Sequence, residues 1–188
     1  MERNSISEIH LDAVDSTNTY AKTHGLTFAK GQITCITAEE QTAAYGQFQR
    51  KWIAPRGVNL YATFYFHLPI ETQNITTLAQ LMALSLKKVL QGEGLEITMK
   101  WPNDLFLKGK KVAGVLCETV FHPQFIEIIL GVGLNVNMEE KDLALIDQAA
   151  TSLKHETGRF WDKKDLLKKL QKQFVSDLEE FKKDKQKF

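Results

Sequence analysis

Residues 100–118 read Lys-Trp-Pro-Asn-Asp-Leu-Phe-Leu-Lys-Gly-Lys-Lys-Val-Ala-Gly-Val-Leu-Cys-Glu. Apolar runs broken by Pro-Asn-Asp and by Lys-Gly-Lys spell strand, tight turn, strand, tight turn, strand. A plain hairpin needs neither a Trp-Pro-Asn-Asp corner, Trp101 to Asp104, nor a lysine pair, Lys110 and Lys111, set just before a strand that contains Gly114. This meander decides the class, because further strands stand on both sides of it.

Residues 7–14 alternate weakly as a first strand. Asp15-Ser16-Thr17-Asn18 then offers four N-cap residue types before a helical run that stops at Gly25. A β-rich run begins at Gln32, and a polar stretch without a period reaches Lys51. Asn59 to Leu68 is an aromatic strand, and Ile75 to Leu90 carries apolar residues at helical spacing up to Gly92 and Gly94. Phe125 to Asn137 is another long strand. From Asp162, Leu166, Leu170, Phe174, Leu178 and Phe181 recur at helical spacing, and a lysine-rich, frayed end follows. With no repeat, low-complexity tract or linker, the chain reads as one α+β domain spanning residues 1–188.

The composition agrees. A chain of 188 residues, 43% hydrophobic and 25% charged, can bury a real core. A net charge of +1 gives no electrostatic reason to expect nucleic acid or an acidic membrane as partner. The two cysteines, Cys35 and Cys117, lie in apolar strand-like runs and read as buried thiols. The N-terminus lacks the pattern of a signal peptide, and no apolar run approaches membrane-spanning length, so a cytoplasmic location is the default.

Three stretches carry chemistry. Glycine inside a strand marks close approach of a ligand or another backbone, and Lys111 beside Gly114 can neutralise a carboxylate or phosphate there. For Lys110 the solvated turn is the better reading; for Lys111 turn and site are equally good. Asn103 offers the donor and acceptor that the edge of adenine requires, and Asp104 can orient a lysine or a metal, although Pro-Asn-Asp is also ordinary turn chemistry. Gly131-Val132-Gly133-Leu134-Asn135 could let a ring lie flat on the backbone with Asn135 reaching it, but it is no dinucleotide fingerprint. The five histidines show no metal-ligand spacing, Cys-x-x-Cys is absent, and no residues are assigned to a metal.

The order of the motifs is more specific than any one of them. Asp-Ser-Thr-Asn, Glu-Gln-Thr before a loop ending Arg-Lys-Trp, Pro-x-Gly-x-Asn-Leu-Tyr, Lys-Trp-Pro-Asn-Asp with Lys-x-Ala-Gly, and Gly-x-Gly-x-Asn-Val-Asn follow one another. This series resembles the catalytic domain of biotin protein ligases, over roughly Leu11 to Lys183. The resemblance implies a mixed β-sheet flanked by helices, shared with lipoate ligases and class II aminoacyl-tRNA synthetases. It implies ATP-dependent ligation of biotin to a lysine of the biotin carboxyl carrier protein of acetyl-CoA carboxylase, through biotinyl-5′-AMP and with Mg²⁺. By the same resemblance Ser16, Thr17, Asn18, Gln41 and Gly114 bind biotin. Gly46, Gln47, Arg50, Trp52, Asn103 and Asn135 belong to the ATP and adenylate side, Lys111 meets the reacting carboxylate and phosphate, and Asp104 supports Lys111 or a metal-bound water. A homodimer paired through sheet edges stays open.

Departures from the pattern matter too. The family loop is usually Gly-Arg-Gly-Arg-x-Gly-Arg, whereas here Tyr45 and Gln47 stand where arginines are usual, and only Gly46 and Arg50 match. Neither a helix-turn-helix module nor the small C-terminal β-barrel of the family is expected, and DNA binding is not expected either. Two alternatives remain: a lipoate ligase, and a non-catalytic protein that binds biotin or its adenylate.

Overall fold

The computed structural model describes residues 6–184, so residues 1–5 and the end of the lysine-rich tail lie outside the described residues. Seven strands form one sheet in the order β1-β2-β3-β7-β6-β5-β4. The strands are β1 (Ile6–Val14), β2 (Ile33–Gln41), β3 (Leu60–Pro69), β4 (Ile97–Lys100), β5 (Asp104–Leu107), β6 (Lys110–Phe121) and β7 (Phe125–Leu134). β1 and β2 run parallel because helix α1 (Thr17–His24) carries the chain back between them, and every other neighbouring pair is antiparallel. The sheet is therefore mixed.

Alternation along β3 sorts the two faces. Leu60, Ala62, Phe64, Phe66 and Leu68 point into the main core with helices α2 (Leu78–Gly92) and α5 (Lys163–Asp184). Leu166, Leu170, Phe174 and Leu178 of α5 are all buried there, as their spacing requires. The opposite residues, Tyr61, Thr63 and Tyr65, face α1 and the loop after β2; Tyr65 packs with Ala21, Ile36 and Ile129. This second face is only partly covered. It carries the site.

The expected elements form where the sequence places them, with small changes. The α1 helix runs past Gly25 as a short 3₁₀ turn, and residues 75–77 make another before α2. Between β7 and α5, in a stretch with no readable period, lie two short helices, α3 (Glu140–Leu143) and α4 (Leu153–Thr157). Cys35 is fully buried and Cys117 partly so, and burial pushes both thiols up to about 12. No helix among the described residues is long and apolar enough to cross a membrane.

Candidate active site

A cleft of about 1070 Å³, the open solvent at its mouth included, lies where β4, β5, β6 and β7 meet the N-terminus of α1 and the loop after β2. The floor is built from small residues. Gly131 and Gly133 of β7 and Gly114 of β6 share this face, since Gly114 pairs with Gly133. A Cβ on Gly133 would stand 2.6 Å from the indole of Trp52, and one on Gly131 would stand 2.4 Å from Asn18 Oδ1. Any side chain at either position would collide with its neighbour. That is why glycine is required.

The polar end of the floor is one connected network. Ser16 caps α1 in an extended conformation, and Gln41 Oε1 accepts from both the backbone N–H (2.8 Å) and the hydroxyl (3.1 Å) of Thr17. The Thr63 oxygen lies 2.8 Å from Thr17 Oγ1 and 2.6 Å from Asn18 Oδ1. Asn18 Nδ2 donates to Glu118, which also takes Lys22 Nζ (2.5 Å) and the Tyr45 hydroxyl (3.2 Å). Burial works against the charge of Lys22, but Glu118 and Tyr45 outweigh it and hold the ammonium above the ordinary lysine value.

The other end is cationic. Arg50, Lys51, Lys100 and Lys111 line the cleft, and among the described lining residues Asp104 is the one carboxylate. Lys111 Nζ stands 2.8 Å from Asp104 Oδ1 and 5.4 Å from the centre of the Trp52 ring. Its backbone is fixed on both sides, since Lys111 N–H donates to Ala149 and its carbonyl accepts from Thr151. Lys110 points away, half exposed, 3.8 Å from Glu156. A ligand with an anionic end and an uncharged polar head fits this division.

The sequence profile of the biotin/lipoate A/B protein ligase family matches residues 11–135, through the corner, the lysine and both floor strands. The chain belongs to this family. It is 32% identical over 173 residues to the bifunctional ligase/repressor BirA of Escherichia coli, covering 91% of this chain and 53% of that protein. It is 31% identical over 139 residues to the biotin–[acetyl-CoA-carboxylase] ligase of Paracoccus denitrificans, covering 70% and 57%. Among solved structures, the biotin protein ligase from Aquifex aeolicus in complex with biotin and ATP superposes with a TM-score of 0.77 at 34% identity, covering 94% of this chain and 72% of that one. The chain spans about half the length of the BirA proteins it matches. A bipartite lipoate protein ligase from Thermoplasma acidophilum, 12% identical with a TM-score of 0.64, shares the fold.

Against this family background, most of the expected site residues converge. Ser16, Thr17, Asn18, Gln41, Gly46, Gln47, Arg50, Trp52, Asn103, Asp104, Lys111 and Gly114 all line the cleft. One reading needs correction. Asn135 does not reach into it: its NH₂ donates to Thr151 O at 3.0 Å, its oxygen takes Asn59 Nδ2 at 3.3 Å, and it borders only a small hollow behind Trp52. An amide engaged on both its donor and its acceptor side inside the fold is a clamp on the end of β7. Asn103 lines the cleft, and one N–H of its NH₂ donates to Val115 O. The ring that lies on Gly133 is the protein's own Trp52, whose buried Nε1–H has no hydrogen-bond partner among the described residues.

Sequence reasoning does not find Thr63, Glu118, Lys22, Tyr45 as a hydrogen-bonding group, or Gln148 at the cleft wall. One signal is present. A threonine on the same face as Tyr61 and Tyr65 in an aromatic strand is a buried polar group that needs partners. Among the described residues no group of three or more His, Cys, Asp or Glu is arranged to hold a metal.

Proposed function

We propose that this chain ligates biotin to a lysine of a biotin carboxyl carrier protein at the expense of ATP. The carrying observation is the divided cleft: an uncharged network at Thr17, Asn18 and Gln41, and a cationic end at Lys111, Arg50 and Lys100. The ring system of biotin occupies the first, and its carboxylate meets the α-phosphate of ATP at the second. A carboxylate oxygen attacks the α-phosphorus and pyrophosphate leaves, giving biotinyl-5′-AMP. The amine of the acceptor lysine then attacks the acyl carbon, AMP departs with the bonding electron pair, and the amine loses a proton.

No protein nucleophile is required, because biotin supplies one. Lys111 places its charge where negative charge gathers on carboxylate and phosphate, and Asp104 holds that ammonium in place. The donor set fits a magnesium ion held mostly by the triphosphate: Mg²⁺ commonly uses one or two carboxylates beside substrate phosphates, and Asp104 can serve as one. When bound, the ion neutralises phosphate charge. The acceptor is the biotin carboxyl carrier protein of acetyl-CoA carboxylase, and two free thiols suit a reducing, cytoplasmic setting. Biotin is preferred over lipoate because the relatives named above are biotin ligases at 31–34% identity, whereas the lipoate ligase likeness is one of fold.

Pyrophosphate exchange into ATP, run with biotin or lipoate, tests the first step, and streptavidin blotting of a carrier domain tests the second. Exchange with lipoate alone would make this a lipoate ligase. Binding of biotin without any exchange would make it a binder.

A further inference from the structure

A large aromatic side chain that stays in water beside a reaction site forgoes the gain of burial, and such residues rimmed by charge mark a surface for a partner. Phe48 lines the cleft and is nevertheless 87% exposed, so it stands at the opening. It lies at the tip of a small hairpin, closed by the bridge between Tyr45 and Lys51 and by the Gly46 N–H, which donates to Arg50 O at 2.8 Å. Phe48 and Gln49 hold φ at 58° and 59°, a backbone that glycine adopts freely and other residues at a cost. Trp101, 67% exposed, occupies the corner between Lys100 and Asn103, which both line the cleft. The opening is also cationic. Arg50, Lys51 and Lys100 line it, are exposed, and have no ion-pair partner among the described residues.

We propose that Phe48 and Trp101 are the apolar grips on which the acceptor protein docks, with Arg50, Lys51 and Lys100 facing acidic residues that flank its lysine. The inference rests on the ligase reading above and adds the surface that the second step uses. Lys111 is only 14% exposed and so recessed, and an acceptor amine reaches the acyl carbon beside it from the open side. A macromolecule that delivers this amine must rest on whatever surrounds the opening, and exposed aromatic residues set among cations have the composition of a protein interface. The cations serve the chemistry as well, because a like charge nearby disfavours the ammonium and so favours the neutral amine that attacks. Trp101 itself stands outside the cleft lining, so a small ligand within the cleft has no need of it.

Two assays on the full chain, both with biotin and ATP, separate docking from adenylation. Biotin transfer to a carrier domain of acetyl-CoA carboxylase, measured against carrier concentration, needs the surface. Trapping of the adenylate by hydroxylamine needs only the cleft: its nitrogen attacks the acyl carbon, AMP leaves with the bonding pair, and the nitrogen loses a proton to give a hydroxamate. Phe48→Ser and Trp101→Ser should each raise the carrier KM at least about fivefold, with hydroxamate formation within about twofold of wild type. Phe160→Ser removes a ring that is 75% exposed elsewhere on the surface, and should change neither. Added salt should raise the wild-type carrier KM more than it slows hydroxamate formation, as screening of charged contacts requires. A wild-type carrier KM in either aromatic variant would overturn the proposal. Hydroxamate formation that falls in step with transfer would also overturn it, because the two residues would then belong to the adenylation site or to the stability of the fold. So would an equal effect of Phe160→Ser. A wild type that forms no hydroxamate would instead bring down the ligase reading.

Discussion

Lys111 Nζ and Asp104 Oδ1 meet at 2.8 Å across neighbouring strands, with the two side chains 14% and 26% exposed. The Pro-Asn-Asp corner and the twin lysines therefore serve one purpose. The corner starts β5 so that Asp104 lies opposite Gly114, and the gap at Gly114 leaves room for the Lys111 stem, whose Cε would be 3.3 Å from a Cβ there.

If Lys111 stabilises charge that develops during adenylation, Lys111→Ala should slow biotin-dependent pyrophosphate exchange by roughly 10²–10³, as loss of one preorganised electrostatic contact typically does. Biotin affinity should change only a few-fold. Lys110→Ala, half exposed beside Glu156, should be close to neutral. Equal losses from the two lysines would show that Lys111 is only a solvated turn residue.

Gly133→Ala tests the seat of Trp52. The new methyl would sit 2.6 Å from the indole Cζ2, and the indole is backed by the cluster of Ala44, Ala54 and Tyr61, so neither partner can yield cheaply. Gly114→Ala meets the same ring at 3.2 Å and is the gentler change. Gly133→Ala should cost about 1–3 kcal/mol of unfolding free energy, as overpacking does, and Gly114→Ala less. Urea melts give both values. The reverse order would mean that the loop carrying Trp52 does not pack on β7 in solution.

Elements with a strong period are legible in the residues alone, and relations across the chain are not. The spacing of Leu166, Leu170, Phe174 and Leu178 fixes the buried face of α5 because each residue is one turn from the next. Residues 138–161 defeat the same reading, since helices of four and five residues cannot display a period. Asn135 misleads for another reason. Its partner Asn59 lies 76 positions away, and nothing local tells an amide aimed at a ligand from one locked inside the fold. Glu118 escapes notice in the same way, its contacts to Asn18 and Lys22 spanning 100 and 96 positions.

Gln47 lines the cleft, at a position where the family resemblance leads one to expect arginine. A charge-assisted hydrogen bond contributes about 1.5–3 kcal/mol, a neutral one about 0.5–1.5. If the proposed ligase holds biotinyl-5′-AMP against this loop, Gln47→Arg should slow its release about tenfold, equivalent to roughly 1–1.5 kcal/mol. Stray biotinylation of a non-cognate protein such as albumin should fall in parallel. Stopped-flow release and a streptavidin blot give the two readouts, and if both stay at wild-type levels the loop closes without help from position 47.

The last prediction concerns stability, at a distance from the cleft. Asp177 of α5 is buried and accepts from Ser85 Oγ (2.6 Å), Lys88 Nζ (2.7 Å) and Gln173 Nε2 (3.0 Å), which ties α5 to α2. Burial alone would raise this carboxyl, but the Lys88, Ser85 and Gln173 donors outweigh it and hold the group below the ordinary aspartate value. The unfolded chain thus takes up the proton more readily than the folded one. The stabilisation is present above the unfolded value of about 3.9 and is lost as pH falls below it through the folded value. Asp177→Asn keeps the shape but sets an NH₂ among donors, and should cost about 1.5–3 kcal/mol at neutral pH. It should also remove part of the acid-induced loss seen in wild type below about pH 4. Lys88→Met should act in the same direction and less strongly, because the Lys88 side chain is half exposed. Urea unfolding from pH 3 to 7 measures all three proteins, and parallel acid slopes for wild type and Asp177→Asn would show that this carboxylate is not the link between α5 and acid stability.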